Sequence, residues 1–171
     1  MVAEYGFGED EVAMLEELMR PENLALLGGN GVDSFEKLTE EEIRTVLGDA
    51  SGDVGTALSY ALSKVGYPYS QELRDSGDYY DCSSLVYYAW KAAGVDISFG
   101  GSYSAAAQAQ GLEQAGKSVP LEELQPGDLI YFSYVHNGRY KNISHVAIYA
   151  GNGMIIEAAN ESTGVVYLSL I

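Results

Sequence analysis

A chain of 171 residues with 47% hydrophobic content and a mean hydropathy of −0.06 suits one domain with a sizeable core plus an appendage, and it reads as soluble and globular. Its net charge of −16 argues against nucleic-acid binding, because affinity gained by releasing phosphate counterions needs a basic face. No apolar run approaches the ~20 residues that span a bilayer. A single cysteine forbids an intrachain disulfide, and with two histidines it leaves no Cys/His zinc site, so neither metal nor cofactor is expected.

Residues 1–50 carry −10 of the charge and are expected to form a helical linker or docking segment with a solvated acidic surface. EDEVAMLEELM places Val12, Leu15, Leu18 and Met19 on one helical face, and Pro21 stops it. A loop over Gly28, Gly29, Asn30 and Gly31 follows. Thr39 and Glu42 then have the spacing of a capping box, before a helix that carries Ile43, Val46 and Leu47 and ends at Gly48. The start, MVAEYGFGED, has neither the basic nor the apolar region of a signal peptide.

The domain itself is expected over residues 51–171. Ala57, Leu58, Ala61, Leu62 and Val65 form an apolar helical stripe ended by Gly66 and Pro68. After an irregular polar stretch over residues 69–80, DCSSLVYYAWKAAG predicts a helix with Leu85, Val86, Ala89, Ala92 and Ala93 on one face. SAAAQAQG predicts a short helix, and the turn at Pro126-Gly127-Asp128 leads into strands LIYFSY, SHVAIYA, MIIEAA and VVYLSL. Helices first and a mostly antiparallel sheet second make an α+β fold.

Within this frame Cys82 stands out. A lone cysteine is commonly a small buried hydrophobe, but this one opens a helix directly behind Asp81, a good N-cap. Free N–H groups and the positive end of the helix dipole gather there; they favour the thiolate and can hold a developing oxyanion. A base is needed next. His136 lies in HNGRYKN, expected to be an exposed loop, whereas His145 lies on a strand with Ala147 and Tyr149 on its face. Glu157, flanked by Ile155, Ile156, Ala158 and Ala159, is a poor place for a charge without a partner. A three-residue loop over residues 151–153 pairs Ala150 with Met154 and Ala147 with Glu157. That puts Glu157 on the face of His145, where it would accept the Nδ1–H and leave Nε2 to face Cys82.

In order, DCSSLVYYAW, LQPGDLIYF and SHVAIYAGNGMIIEAA resemble the motifs of the NlpC family of papain-like cell-wall cysteine peptidases, from about residue 53 to the end. The resemblance implies a papain-like fold with the nucleophile Cys82 at a helix N-terminus and His145 as base. Glu157 falls where the family most often has a polar third residue, usually His. Asp81 and Ser83 match positions that help hold the free amine of an N-terminal L-Ala in members that cut stem peptides, and Tyr69 matches an aromatic lining the site. The family's usual Trp-Gly-Gly after that Tyr is replaced by SQELRDSGDYY. The implied reaction is hydrolysis of peptidoglycan stem peptides between γ-D-Glu and the diamino acid. The implied setting is extracytoplasmic, with this chain a piece of a longer exported protein that has other domains. The alternatives are an N-acetylmuramoyl-L-alanine amidase or an acyltransferase using the same Cys-His pair, and an inactive binding module.

Overall fold

The computed structural model describes residues 2–4 and 33–170. The expected helix around Val12 to Met19, its stop at Pro21 and the loop at residues 28–31 lie outside the described residues. In chain order the described elements are β1 (Val2–Glu4), α1 (Glu40–Leu47), α2 (Gly52–Ser63), α3 (Cys82–Ala92), α4 (Ala105–Gln114), β2 (Ser118–Val119), β3 (Leu129–Phe132), β4 (His145–Gly151), β5 (Met154–Asn160) and β6 (Gly164–Ser169). The strands form one sheet in the order β2-β1-β3-β4-β5-β6. β1 runs parallel to both neighbours, and β3 to β6 are antiparallel. The expected α+β class, with helices packed on a mostly antiparallel sheet, is the observed one. Among the described residues no helix is long and apolar enough to cross a membrane.

Period-two alternation sorts the sheet's side chains into two clusters. Val146, Ile148, Ile156, Ala158 and Val165 face the helices, where they join Ala57, Leu58, Ala61 and Leu62 of α2 and Leu85, Val86, Ala89 and Trp90 of α3. Ile130, Phe132, Ala147 and Ile155 point the other way, against Val119, Leu121 and Leu124. The helix α3 packs against β4 and β5, so its first residue is carried to the start of β4.

The described parts of the stretch expected to be a linker are tied to the domain. β1 fills the sheet position between β2 and β3; a three-residue strand is too short to show periodicity, which is why the sequence did not reveal it. The capping box at α1 forms as predicted, with Thr39 Oγ1 accepting the Glu42 N–H and Glu42 Oε1 accepting the Thr39 N–H, both at 3.1 Å. Leu38 is buried, and Ile43, Val46 and Leu47 pack on the main core. Ser34 and Tyr167 exchange backbone hydrogen bonds of 2.7 and 2.9 Å. The described part of this acidic stretch around α1 therefore has an apolar underside that the domain uses.

Candidate active site

The α3 start is built by Asp81. Its Oδ1 accepts the Ser84 N–H at 2.8 Å, and the Ser84 hydroxyl accepts the Asp81 N–H at 2.9 Å, a reciprocal capping box. The Leu85 N–H goes to the Asp81 carbonyl at 3.1 Å. These bonds leave the N–H groups of Cys82 and Ser83 as the free donors of the first turn among the described residues, beside a half-buried Cys82 thiol. Behind them Gln108, fully buried on α4, ties the helix start down. Its Nε2 donates to the Ser83 carbonyl at 3.0 Å and to the Tyr103 carbonyl at 2.6 Å, while its Oε1 accepts from Tyr131 at 3.1 Å. The sequence showed only a small-residue helix at this place.

His145 begins β4, and its ring lies within hydrogen-bonding reach of Cys82. On its other side Nε2 donates to Glu157 Oε2 at 2.7 Å. Cys82 and Glu157 thus both act on the His145 ring. The ring nitrogens, however, are exchanged relative to the expectation: Glu157 takes Nε2, and Nδ1 is left for Cys82. The register sets the two residues on one face but does not specify which ring nitrogen turns to the carboxylate.

The hairpin that brings Glu157 to His145 also differs in detail. The loop has two residues, Asn152 and Gly153, both at positive φ (55° and 75°) as a type I′ turn requires. Gly151 pairs with Met154, but the register then shifts between Tyr149 and Gly151, so that Tyr149 pairs with Ile155 and Ile148 with Ile156. The bulge adds the residue that the turn lacks. Beyond it the register is the expected one, and continuing it by one step sets Glu157 across from Ala147.

The pair is secluded, with His145 and Glu157 side chains only 13% and 15% exposed. Phe132 and Tyr134 flank the imidazole with ring centroids 5.5 and 6.4 Å away. Burial opposes the charged imidazole, but hydrogen bonds and charge from Cys82 and Glu157 outweigh it and raise the His145 pKa to about 10. The arrangement favours a charged imidazole between the Glu157 carboxylate and the Cys82 thiol. Tyr134, 64% exposed on the loop after β3, was not singled out in the sequence; only its position on the predicted strand LIYFSY, two residues from Phe132, could have pointed to it.

Of the other expected residues, Tyr69 pairs through its backbone bridge with Tyr80, next to the α3 start. Burial first, then the charges of Cys82 and Asp81, hold its hydroxyl above the ordinary value. Gly164 fixes this segment: the Val165 N–H donates to the Tyr67 carbonyl at 2.9 Å, and a Cβ on Gly164 would lie 2.2 Å from that oxygen. Asp81 and Ser83 are buried at 3% exposure each, and Asp81 Oδ2 is in an ion pair with Arg74 Nη1 at 3.0 Å.

Residues 66–170 match the model of the NlpC/P60 family. A probable endopeptidase of Mycobacterium tuberculosis is 33% identical over 110 residues, which is 64% of this chain and 24% of that protein. The peptidoglycan DL-endopeptidase CwlO of Bacillus licheniformis is 38% identical over 86 residues, 50% of this chain and 16% of that one. The chain therefore spans about a quarter or less of the length of these curated relatives. Among solved structures, the NlpC/p60 domain of the peptidoglycan hydrolase SagA superposes with a TM-score of 0.54 at 25% identity, over 68% of this chain and 89% of that one. With the motifs, the papain-like fold and the family match in agreement over one stretch of chain, this protein belongs to the NlpC/P60 family of cysteine peptidases.

Proposed function

We propose that this chain is a cysteine endopeptidase that hydrolyses peptidoglycan stem peptides outside the cytoplasm, cutting between γ-D-Glu and the diamino acid. The observation that carries the reading is the alignment of Glu157, His145 and Cys82 at the start of α3, where free N–H groups also converge. The Cys82 thiolate attacks the γ-glutamyl carbonyl, and the N–H groups of Cys82 and Ser83 receive the oxyanion. His145 Nδ1–H protonates the departing amine, leaving a thioester on Cys82. The neutral imidazole then takes a proton from water, whose hydroxide attacks the thioester. The products are a γ-carboxylate and the restored Cys82–His145 pair. Glu157 holds the ring through Nε2 throughout and supports its positive charge in the steps where it is protonated.

Digestion of muropeptides of known stem structure, with products identified by mass, tests this. The expected result is a new γ-D-Glu carboxyl terminus, absent with Cys82→Ala while that variant keeps the wild-type unfolding temperature. A freed L-Ala amine would make the enzyme an amidase, and wild-type turnover by Cys82→Ala would remove Cys82 as nucleophile.

A further inference from the structure

Asp81 stands one residue before Cys82, and the resemblance assigned it, with Ser83, to a substrate's free amine. Its carboxylate is otherwise engaged. Oδ1 accepts the Ser84 N–H at 2.8 Å and the Ser83 hydroxyl at 3.2 Å, and Oδ2 accepts Arg74 Nη1 at 3.0 Å. The Asp81 side chain is 4% exposed, whereas that of Arg74 is 33% exposed. An ammonium approaching Asp81 would meet the guanidinium first and would have to displace it. Among the described residues the bond to Asp81 is the one hydrogen bond that Arg74 makes, so N–H groups remain on its open side.

Arg74 is held in this position rather than resting on the surface. Its guanidinium lies 4.5 Å from the Tyr103 ring centre, and Tyr103 stacks on Tyr87 with centroids 4.4 Å apart and planes 10° from parallel. Tyr103 also donates to Asp75 Oδ1, as does Tyr88 at 2.6 Å, and these bonds hold the Asp75 carboxyl below its usual range. Arg74 and Asp75 both come from SQELRDSGDYY, the segment that departs from the family's pattern. A guanidinium held by Tyr103 thus lies over the Asp81 carboxylate, the one that the resemblance assigns to an amine.

We propose that Arg74 is a specificity-determining residue that makes the site select stem peptides with an acylated N-terminus over the same peptides with a free amine. The inference rests on the proposed endopeptidase function. At neutral pH and below, a free α-amino group is largely an ammonium, its pKa being about 7.7–8.0, and the guanidinium repels it. An acylated nitrogen carries no charge, and its carbonyl oxygen accepts from the remaining Arg74 N–H groups. The substrate class is therefore the stem peptide still joined to the glycan, not the trimmed fragment.

Two synthetic peptides test this, L-Ala-γ-D-Glu followed by the diamino acid, one with its amine free and one N-acetylated, assayed at pH 6.5. Wild type is expected to show a kcat/KM at least about tenfold higher on the acetylated peptide, the scale of one like-charge repulsion at a partly solvated rim. Arg74→Gln should raise turnover of the free-amine peptide and lower that of the acetylated one, reversing or erasing the preference. Binding of both peptides to Cys82→Ala by calorimetry should show the same order. An equal loss on both peptides in Arg74→Gln would mean that Arg74 only supports the fold, and a wild-type preference for the free amine would contradict the proposal outright; either overturns it while leaving the endopeptidase reading intact. If wild type turns over neither peptide and Cys82→Ala binds neither, the endopeptidase reading falls, and this inference with it.

Discussion

Replacing Glu157 by Gln separates charge from shape in the proposed triad. Gln keeps an oxygen that can accept the His145 Nε2–H, now 2.7 Å from the carboxylate, but removes the negative charge. With both side chains about 15% exposed or less, water screens the pair little. A hydrogen bond to a charged group contributes about 1.5–3 kcal/mol and a neutral one about 0.5–1.5, so the change removes roughly 1–2 kcal/mol of support for the imidazolium. At 1.36 kcal/mol per pKa unit, the His145 pKa should fall from about 10 by about one unit. Since the folded pKa lies above the ordinary 6.5, the stabilisation that His145 contributes is fully present below pH 6.5 and fades as pH rises through about 10; in Glu157→Gln it should fade about one unit earlier. The assay is kcat/KM against pH beside thermal unfolding over the same range. The alkaline limb should move to lower pH, and kcat should drop about tenfold with KM little changed. Glu157→His, which restores the family's commoner residue, should keep more activity than Glu157→Ala. Coincident pH profiles for wild type and Glu157→Gln would refute the reasoning and leave a Cys-His dyad.

Gly164→Ala should be costly although it adds one carbon. Gly164 has φ of +68°, and the new Cβ would sit 2.2 Å from the Tyr67 carbonyl oxygen. Left-handed backbone strain alone costs about 1–2 kcal/mol, so a loss of at least about 2 kcal/mol is expected by chemical denaturation, with a raised KM because the Tyr69 segment shifts. An unchanged denaturation midpoint would contradict the close approach. Leu38→Ala should cost about 2–4 kcal/mol, as for a buried leucine whose cavity does not refill, and denaturant unfolding checks it. A loss under half of that would mean that α1 packs only loosely on the domain.

Much of the site was legible because chemistry narrowed the choice. One cysteine behind an N-cap aspartate, one strand histidine and one glutamate among aliphatics leave few arrangements, and local periodicity places each on its element. The same locality explains the capping boxes at Thr39 and Asp81, whose partners are three residues away. Other features depend on residues far apart in the chain. The 150–151 bulge is selected where β4 meets Pro126 and β5 together, with Gly151 against the Pro126 ring, so the hairpin alone suggested a longer loop. Which imidazole nitrogen meets Glu157 is set by how the ring is turned between side chains of three strands and loops, not by the strand pattern. That Arg74 covers Asp81 depends on Tyr103, 29 residues away, holding the guanidinium in place. By itself the sequence determined the fold class and named the side chains of the proposed site, because hydrophobic period and residue chemistry are local properties. Only the tertiary structure decided which ring nitrogen meets Glu157 and that Arg74 lies over Asp81, because those follow from contacts between elements that no local pattern encodes.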